Sequence, residues 1–135
     1  MKTILAILKK AGGWHHGLYL TVENPPHVAL VIDAMDESGP CGLPALSVAQ
    51  YSDALAKPEM CFELGLAGGA HLTPFYYRDD DAGGEEFSRT IDGENYVFLP
   101  DLYDQHQKFA AHWDRNLRTQ GFVEAFERQQ KKPRA

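Results

Sequence analysis

No stretch of this chain approaches the roughly 18 consecutive apolar residues that a membrane-crossing helix requires. The apolar run Thr3 to Leu8 near the start is too short for the core of a secretory signal, and Lys9-Lys10 ends it. A cytoplasmic location is the resulting expectation. Cysteine is scarce: Cys41 and Cys61 stand alone, with no CxxC pair. That pattern reads as two small, half-buried thiols rather than a disulfide or a metal knuckle. Neither GxGxxG nor GxxxxGK[ST] occurs, so a nucleotide-binding loop has no support. No serine sits in GxSxG, and no HExxH or HxH is present. Positive charge is also short. Lys and Arg number 13 against 19 acidic residues, a net charge of −6. Wholesale binding to nucleic-acid phosphate is therefore not expected.

What is present is a patterned, ordinary-sized chain. At 135 residues it is long enough to bury a core without disulfides or metal. Gly17 to Met35 organises the rest. Leu18, Leu20 and Val22 alternate with Tyr19, Thr21 and Glu23, the period of a half-buried strand. Val28 to Ile32 is almost wholly apolar, β-rich and too short for a stable helix. Between them Pro25 and Pro26 cannot donate ladder hydrogen bonds, so the turn sits on them. Pairing Leu20 with Leu30, Leu18 with Ile32 and Val22 with Val28 gathers one apolar set on one face. Pairing Leu18 with Asp33 and Leu20 with Val31 does not, so the first register is expected.

The remaining elements follow in order. Thr3 to Ala11 reads as a short amphipathic helix with Ile4, Leu5, Leu8 and Ala11 on one stripe, stopped by Gly12-Gly13. Ala45 to Tyr51 is a third strand with Leu46 and Val48 inward. Ser52 to Pro58 is a loop or a single helical turn, and a fourth strand from Pro58 alternates Met60, Phe62 and Leu64 with Cys61 and Glu63. Gly65 to Ala70 is a glycine-rich turn. Leu72 to Arg78 is a fifth strand, where Pro74 implies an edge or a bulge. Asp79 to Glu86 is an acidic loop. Phe87 to Ile91 and Tyr96 to Leu99 flank Asp92-Gly93 as a hairpin with a loop longer than two residues. A long helix starts at Pro100-Asp101, with Asp101 as N-cap and Leu102, Phe109, Trp113 and Leu117 as its buried stripe. Gly121 closes it. The fold class is α+β: a mainly antiparallel sheet with the first and the long last helix on one face. Residues 1–123 form the domain, and 124–135 a short helix and basic tail.

The opposite sheet face is then open. Strand parity places Tyr19, Thr21, Asp33, Ser47, Tyr51 and Glu63 there, with Tyr77 or Arg78 from the fifth strand. Tyrosines beside carboxylates suit a ligand or a protein partner; the competing reading is an ordinary wet face. A second candidate surface is the loop carrying Asp79, Asp80, Asp81, Glu85 and Glu86. It only echoes a calcium loop, because the twelfth position from Asp79 is Thr90, not Glu. Asp79 to Asp104 carries nine acidic residues against one arginine, a density that invites comparison with nucleic-acid phosphates. Six histidines raise a metal question. His15 and His16 are adjacent and point apart on a strand, and His106 and His112 lie roughly 240° apart around a helix. No metal or other cofactor is expected.

Several strings together resemble an uncharacterised family of short bacterial accessory proteins carried on plasmids, phages and genomic islands. They are LKKAGGW (Leu8–Trp14), LYLTVENPP (Leu18–Pro26), VID (Val31–Asp33), GLPALSVAQY (Gly42–Tyr51), PEMCFEL (Pro58–Leu64), PFYYRDD (Pro74–Asp80) and WDRNLRTQGF (Trp113–Phe122). The resemblance implies a mobile-element setting and brings no catalytic residues. The segment Ser52 to Lys57 is shorter than the family's usual connection. The expected function is a small, acidic, non-catalytic binding protein that docks on a protein partner through the open face and the acidic loop, as an inhibitor or a DNA mimic. The alternative is a hydrolase using Glu23, Asp33 and Glu63 with a divalent ion, which requires the three to converge. A third reading makes Arg115, Arg118 and the basic tail a nucleic-acid contact.

Overall fold

Alternating apolar residues in the first two-thirds of the chain build strands that pair in chain order. The computed structural model describes residues 1–53, 55–65 and 71–131. Its elements are α1 (Lys2–Lys10), β1 (Tyr19–Asn24), β2 (His27–Ala34), β3 (Ala45–Ser52), β4 (Leu55–Leu64), β5 (Leu72–Asp79), β6 (Gly84–Phe87), β7 (Arg89–Asp92), β8 (Asn95–Phe98), α2 (Pro100–Thr119) and α3 (Phe122–Lys131). Strands β1 to β6 form one sheet in sequence order, every neighbour antiparallel, and β7 and β8 form a separate two-stranded ribbon. This is the expected α+β class.

The first hairpin has the expected faces and a shifted register. Leu20 pairs with Ile32 and Val22 with Leu30, while Tyr19 pairs with Asp33 and Thr21 with Val31. The pairing is displaced by two residues from the expected Leu20–Leu30, so each side chain keeps its face. The cause is at the turn. Asn24 pairs with His27 around Pro25-Pro26, and an irregularity between Val22 and Asn24 absorbs the odd residue. Asn24 is buried and its Nδ2 donates to the Gln120 carbonyl at 2.8 Å, tying this turn to the end of α2.

One face of the sheet carries the core. Val22, Leu30, Ile32, Leu46, Val48, Met60 and Phe62 meet Ile4, Ile7 and Leu8 of α1, Ala110, Trp113 and Leu117 of α2, and Phe122, Ala125 and Phe126 of α3. The three helices therefore share that face, with α2 over β5 and α3 over β1. In α1 the buried stripe runs through Ile4, Ile7 and Leu8, so Ile7 takes the place expected for Leu5. The Thr3 amide donates to Asp114 Oδ1 at 2.8 Å, so a side chain of α2 satisfies the first turn of α1. Gly13, at φ +92°, donates to the Leu8 carbonyl at 2.8 Å and stops the helix. The N-cap of α2 is Leu99, with no side-chain cap, rather than Asp101. Pro100 explains the shift: it suits the first helical position and holds the residue before it, Leu99, in extended backbone.

Three other expectations are corrected, and the bulge expected at Pro74 is found. β4 begins at Leu55, so most of the supposed loop before Pro58 is strand. Pro74 sits beside a bulge, where Cys61 pairs with Tyr76 but Phe62 with Pro74. The acidic loop is half strand, because β6 pairs Glu86 with Tyr77 and Glu85 with Arg78. The last hairpin turns through two residues, Gly93-Glu94, between paired Asp92 and Asn95. Gly93 has φ +64° at the first turn position, which fits a tight primed turn. The glycine-rich turn to Ala70 falls largely outside the described residues, as does the tail beyond Lys131.

β1 is one edge of the sheet, and α3 closes part of it. The Gln129 side-chain amide donates to the Thr21 carbonyl at 2.8 Å and accepts from the Glu23 amide at 3.3 Å. A neighbouring strand's peptide group would make the same two bonds.

Candidate functional site

The face opposite the helices is built by strand parity. Asp33 pairs with Ser47, Ser47 with Cys61 and Cys61 with Tyr76, while Ala49 pairs with Glu59 and Glu59 with Arg78. No helix covers it. Tyr19 is 62% exposed and Tyr51 40%, Asp33 is exposed, and Thr21 is half-buried between them. Glu59 is the polar centre. Its Oε2 accepts from Ser47 Oγ at 2.6 Å and from the Tyr51 hydroxyl at 3.5 Å, and its Oε1 lies 3.5 Å from Arg78 Nη2. Of Tyr77 and Arg78, Arg78 belongs to this face; Tyr77 packs on Phe109 on the helix side.

These neighbours set the protonation of the face. Partial burial, then the charges of Asp36 and Glu59, raise the Asp33 carboxyl above its ordinary value. Burial and then Glu59 raise the Tyr51 hydroxyl. Burial foremost, with Glu59 nearby, pushes the Cys61 thiol up to about 12, so it stays protonated.

Glu63 shares this face by parity but presents no surface, a correction to its place among docking residues. It is fully buried. Arg89 Nη1 donates to its Oε1 at 2.7 Å, and Arg89 Nη2 contacts the same oxygen. The amides of Cys41 and Leu43 donate to Oε2 at 2.8 and 3.3 Å. Arg89 Nε also donates to the Pro74 carbonyl at 3.3 Å. Gly39 lies against the carboxylate so closely that an added Cβ would stand 2.1 Å from Glu63 Cγ. One buried ion pair thus clamps both the 36–44 segment and the β7–β8 ribbon onto the sheet. Between these two coverings lies a cleft of about 260 Å³, walled by Met35, Pro40, Phe75, Phe87 and Ile91, with Ser38, Thr90 and Arg89 as polar groups. The sequence reading missed this cleft, since its walls come from three separated segments, 35–40, 75 and 87–91.

The acidic stretch is bound inward. Asp79 Oδ1 accepts from the amides of Asp81 at 2.9 Å and Ala82 at 3.3 Å. Asp80 Oδ2 accepts from the Ala56 amide at 2.7 Å, and Asp81 lies 3.3 Å from Lys57. Glu85 accepts from the Tyr76 hydroxyl at 2.7 Å, and Glu86 lies 3.4 Å from His106 Nε2. The five carboxylates hold a turn and an edge strand rather than a free loop.

Glu86, His106 and Ser88 form a second constellation that sequence reasoning missed. His106 is buried, with Nδ1 2.8 Å from Ser88 Oγ. If Nε2–H faces Glu86, Nδ1 accepts the Ser88 hydroxyl proton, which is the hydrogen-bond order of a Ser–His–acid relay. Burial holds the imidazole below its ordinary value, against the opposing pull of Glu86, so it is neutral at pH 7. Ser88, however, is 0% exposed, so its oxygen faces His106 and not solvent, and the bond ties the start of β7 to α2. A sequence signal existed: Glu86 and Ser88 are two apart on an extended segment and point the same way.

The carboxylates of the hydrolase alternative do not meet. Glu23 lies by the Pro-Pro turn, Asp33 four residues along the hairpin at roughly 13 Å, and Glu63 is buried under the clamp. Among the described residues no group of three His, Cys, Asp or Glu side chains is arranged to hold a metal ion. No helix among them is long and apolar enough to cross a membrane.

The model of the family described as "Domain of unknown function (DUF6908)" matches residues 2–123. No curated protein and no solved structure matches the chain.

Proposed function

Starting from the fact that this chain belongs to the DUF6908 family, we propose that it is a small acidic binding protein that docks on a protein partner through the helix-free sheet face. The observation that carries this reading is the one-sided placement of all three helices, which leaves Tyr19 and Tyr51 standing exposed on the other face. Tyrosines offer large contact area with few rotors to freeze, and they recur among the residues that dominate interfaces. The cleft between the 36–44 segment and the ribbon accepts an apolar side chain of the partner. Asp33, Asp36 and Glu37 favour a partner surface with basic residues around that anchor.

In its finer form the proposal places the protein in the cytoplasm of a bacterium, on a mobile element, acting on a host-defence or DNA-processing component. The strings quoted above support that setting. Phosphate mimicry receives less support, because Asp80 and Asp81 already face Arg78 and Lys57. Affinity capture tests the docking reading. A protein held by the wild type, lost on combined Tyr19→Ala and Tyr51→Ala, and kept with Lys108→Ala on the exposed side of α2 supports it. The expected loss is about 30-fold or more in affinity, from roughly 2 kcal/mol for a dominant interface tyrosine. Retention by the double variant refutes it. Competition by excess DNA for the same partner would revive mimicry.

A further inference from the structure

On the helix side of the sheet, remote from the docking face, the edge of β5–β6 and the middle of α2 enclose a second cleft. It measures about 150 Å³ and is lined by Tyr77, Glu86, Gln105, His106 and Phe109. We propose that this cleft binds an organic ammonium ion.

The chemistry of the lining carries the proposal. Tyr77 and Phe109 meet with ring centroids 4.7 Å apart at 64°, and Tyr77 and His106 at 5.9 Å and 39°. Three rings set at such angles make a corner rather than a stack. Aromatic corners attract alkylammonium heads, whose charge is spread over methyl or methylene groups that also pack against the rings. Among the described residues no Lys or Arg lines the cleft, so no cationic side chain of its own answers the rings. Negative charge is supplied at the mouth. The Glu86 side chain is 46% exposed and reaches His106 Nε2 at 3.4 Å through Oε1. Among the described residues its Oε2 has no hydrogen-bond partner. A second carboxylate, Asp79, stands 3.5 Å from the Tyr77 hydroxyl.

The same lining disfavours other ligands. Glu86 repels anions. A bare divalent ion would find a single carboxylate and one imidazole, short of the oxygen set it needs. The cleft is too small for a nucleobase with its sugar. A soft monovalent head of a few heavy atoms fits both the volume and the charge.

Two sources share this chemistry, a free quaternary amine and a lysine side chain of another protein. Choline, N-acetyl-lysine methylamide and the neutral choline isostere 3,3-dimethyl-1-butanol separate them when titrated into the full chain by NMR. At least one cation is expected to saturate with millimolar affinity, shifting Tyr77, Glu86, His106 and Phe109, and to bind about tenfold more tightly than the isostere. Tighter binding of choline assigns the free amine, and tighter binding of the lysine analogue assigns a side chain. Glu86→Gln lies on an exposed edge strand and should weaken the cation about tenfold while leaving the isostere unchanged. Phe109→Leu should weaken both cations by several-fold. Equal binding of cation and isostere, no saturable shift up to about 100 mM, or unchanged cation affinity in Glu86→Gln would each overturn the proposal.

Discussion

Replacing Arg89 with alanine tests the clamp directly. Glu63 is 0% exposed and Arg89 3%, and the pair is held by two guanidinium contacts and by two backbone amides. Arg89→Ala leaves a buried carboxylate facing only the Cys41 and Leu43 amides. Breaking one side of a buried ion pair destabilises by about 3–5 kcal/mol, because the remaining charge keeps its desolvation penalty. The two amides offset part of that, so about 3 kcal/mol is expected. Against a total stability of about 5–15 kcal/mol this is a large fraction. In urea it moves the unfolding midpoint down by about 1–3 M. The double variant Glu63→Leu with Arg89→Met should lose less than Arg89→Ala alone, since neither charge remains buried. Its residual loss, about 1–2 kcal/mol, reflects the Cys41 and Leu43 amides without their acceptor. The same amides should lose hydrogen-exchange protection in both variants. A loss below about 1 kcal/mol for Arg89→Ala, or a double variant worse than the single, would refute the reasoning.

Three further expectations follow from the same geometry. Gly39→Ala should destabilise by about 1–3 kcal/mol by forcing the Glu63 side chain aside, measured by urea melts. His106 has a folded value below its unfolded one, so its contribution to stability is complete above pH 6.5 and is lost as pH falls below that; His106→Gln should remove that part of the acid sensitivity, read as the difference between melts at pH 7.5 and 5.5. At pH 8, Cys41 is exposed and Cys61 is buried with its thiol near 12, so a thiol reagent should titrate one group quickly and the second only after unfolding. Rapid modification of both in the folded chain would contradict the burial of Cys61.

Strand periodicity made most of the sheet legible. Leu20, Val22, Leu30, Ile32, Leu46, Val48, Met60 and Phe62 alternate in the sequence and share the core. The register of the first hairpin was off by two because a bulge at the Pro-Pro turn leaves no composition signal. β6 was hidden by charge. Glu85 and Glu86 read as a loop, yet an edge strand tolerates them because one face meets Tyr76 and the other His106. Of the candidate site, parity located Tyr19, Asp33 and Tyr51 correctly on the outer face. It could not reveal that Glu63 is roofed over, because its partner Arg89 lies 26 positions away on a ribbon outside the main sheet. Long-range ion pairs carry no period, so a single sequence does not announce them.

The side chain of Gln129 bears on how copies of this protein can meet. A sheet's outermost strand is an invitation to endless stacking whenever its row of donors and acceptors is left free. Here one margin has that row partly taken by a borrowed amide from α3. The other margin is only four residues long and bears two glutamates, so two copies brought together there would set like charges face to face. Growth sideways into fibrils is thereby disfavoured at both ends.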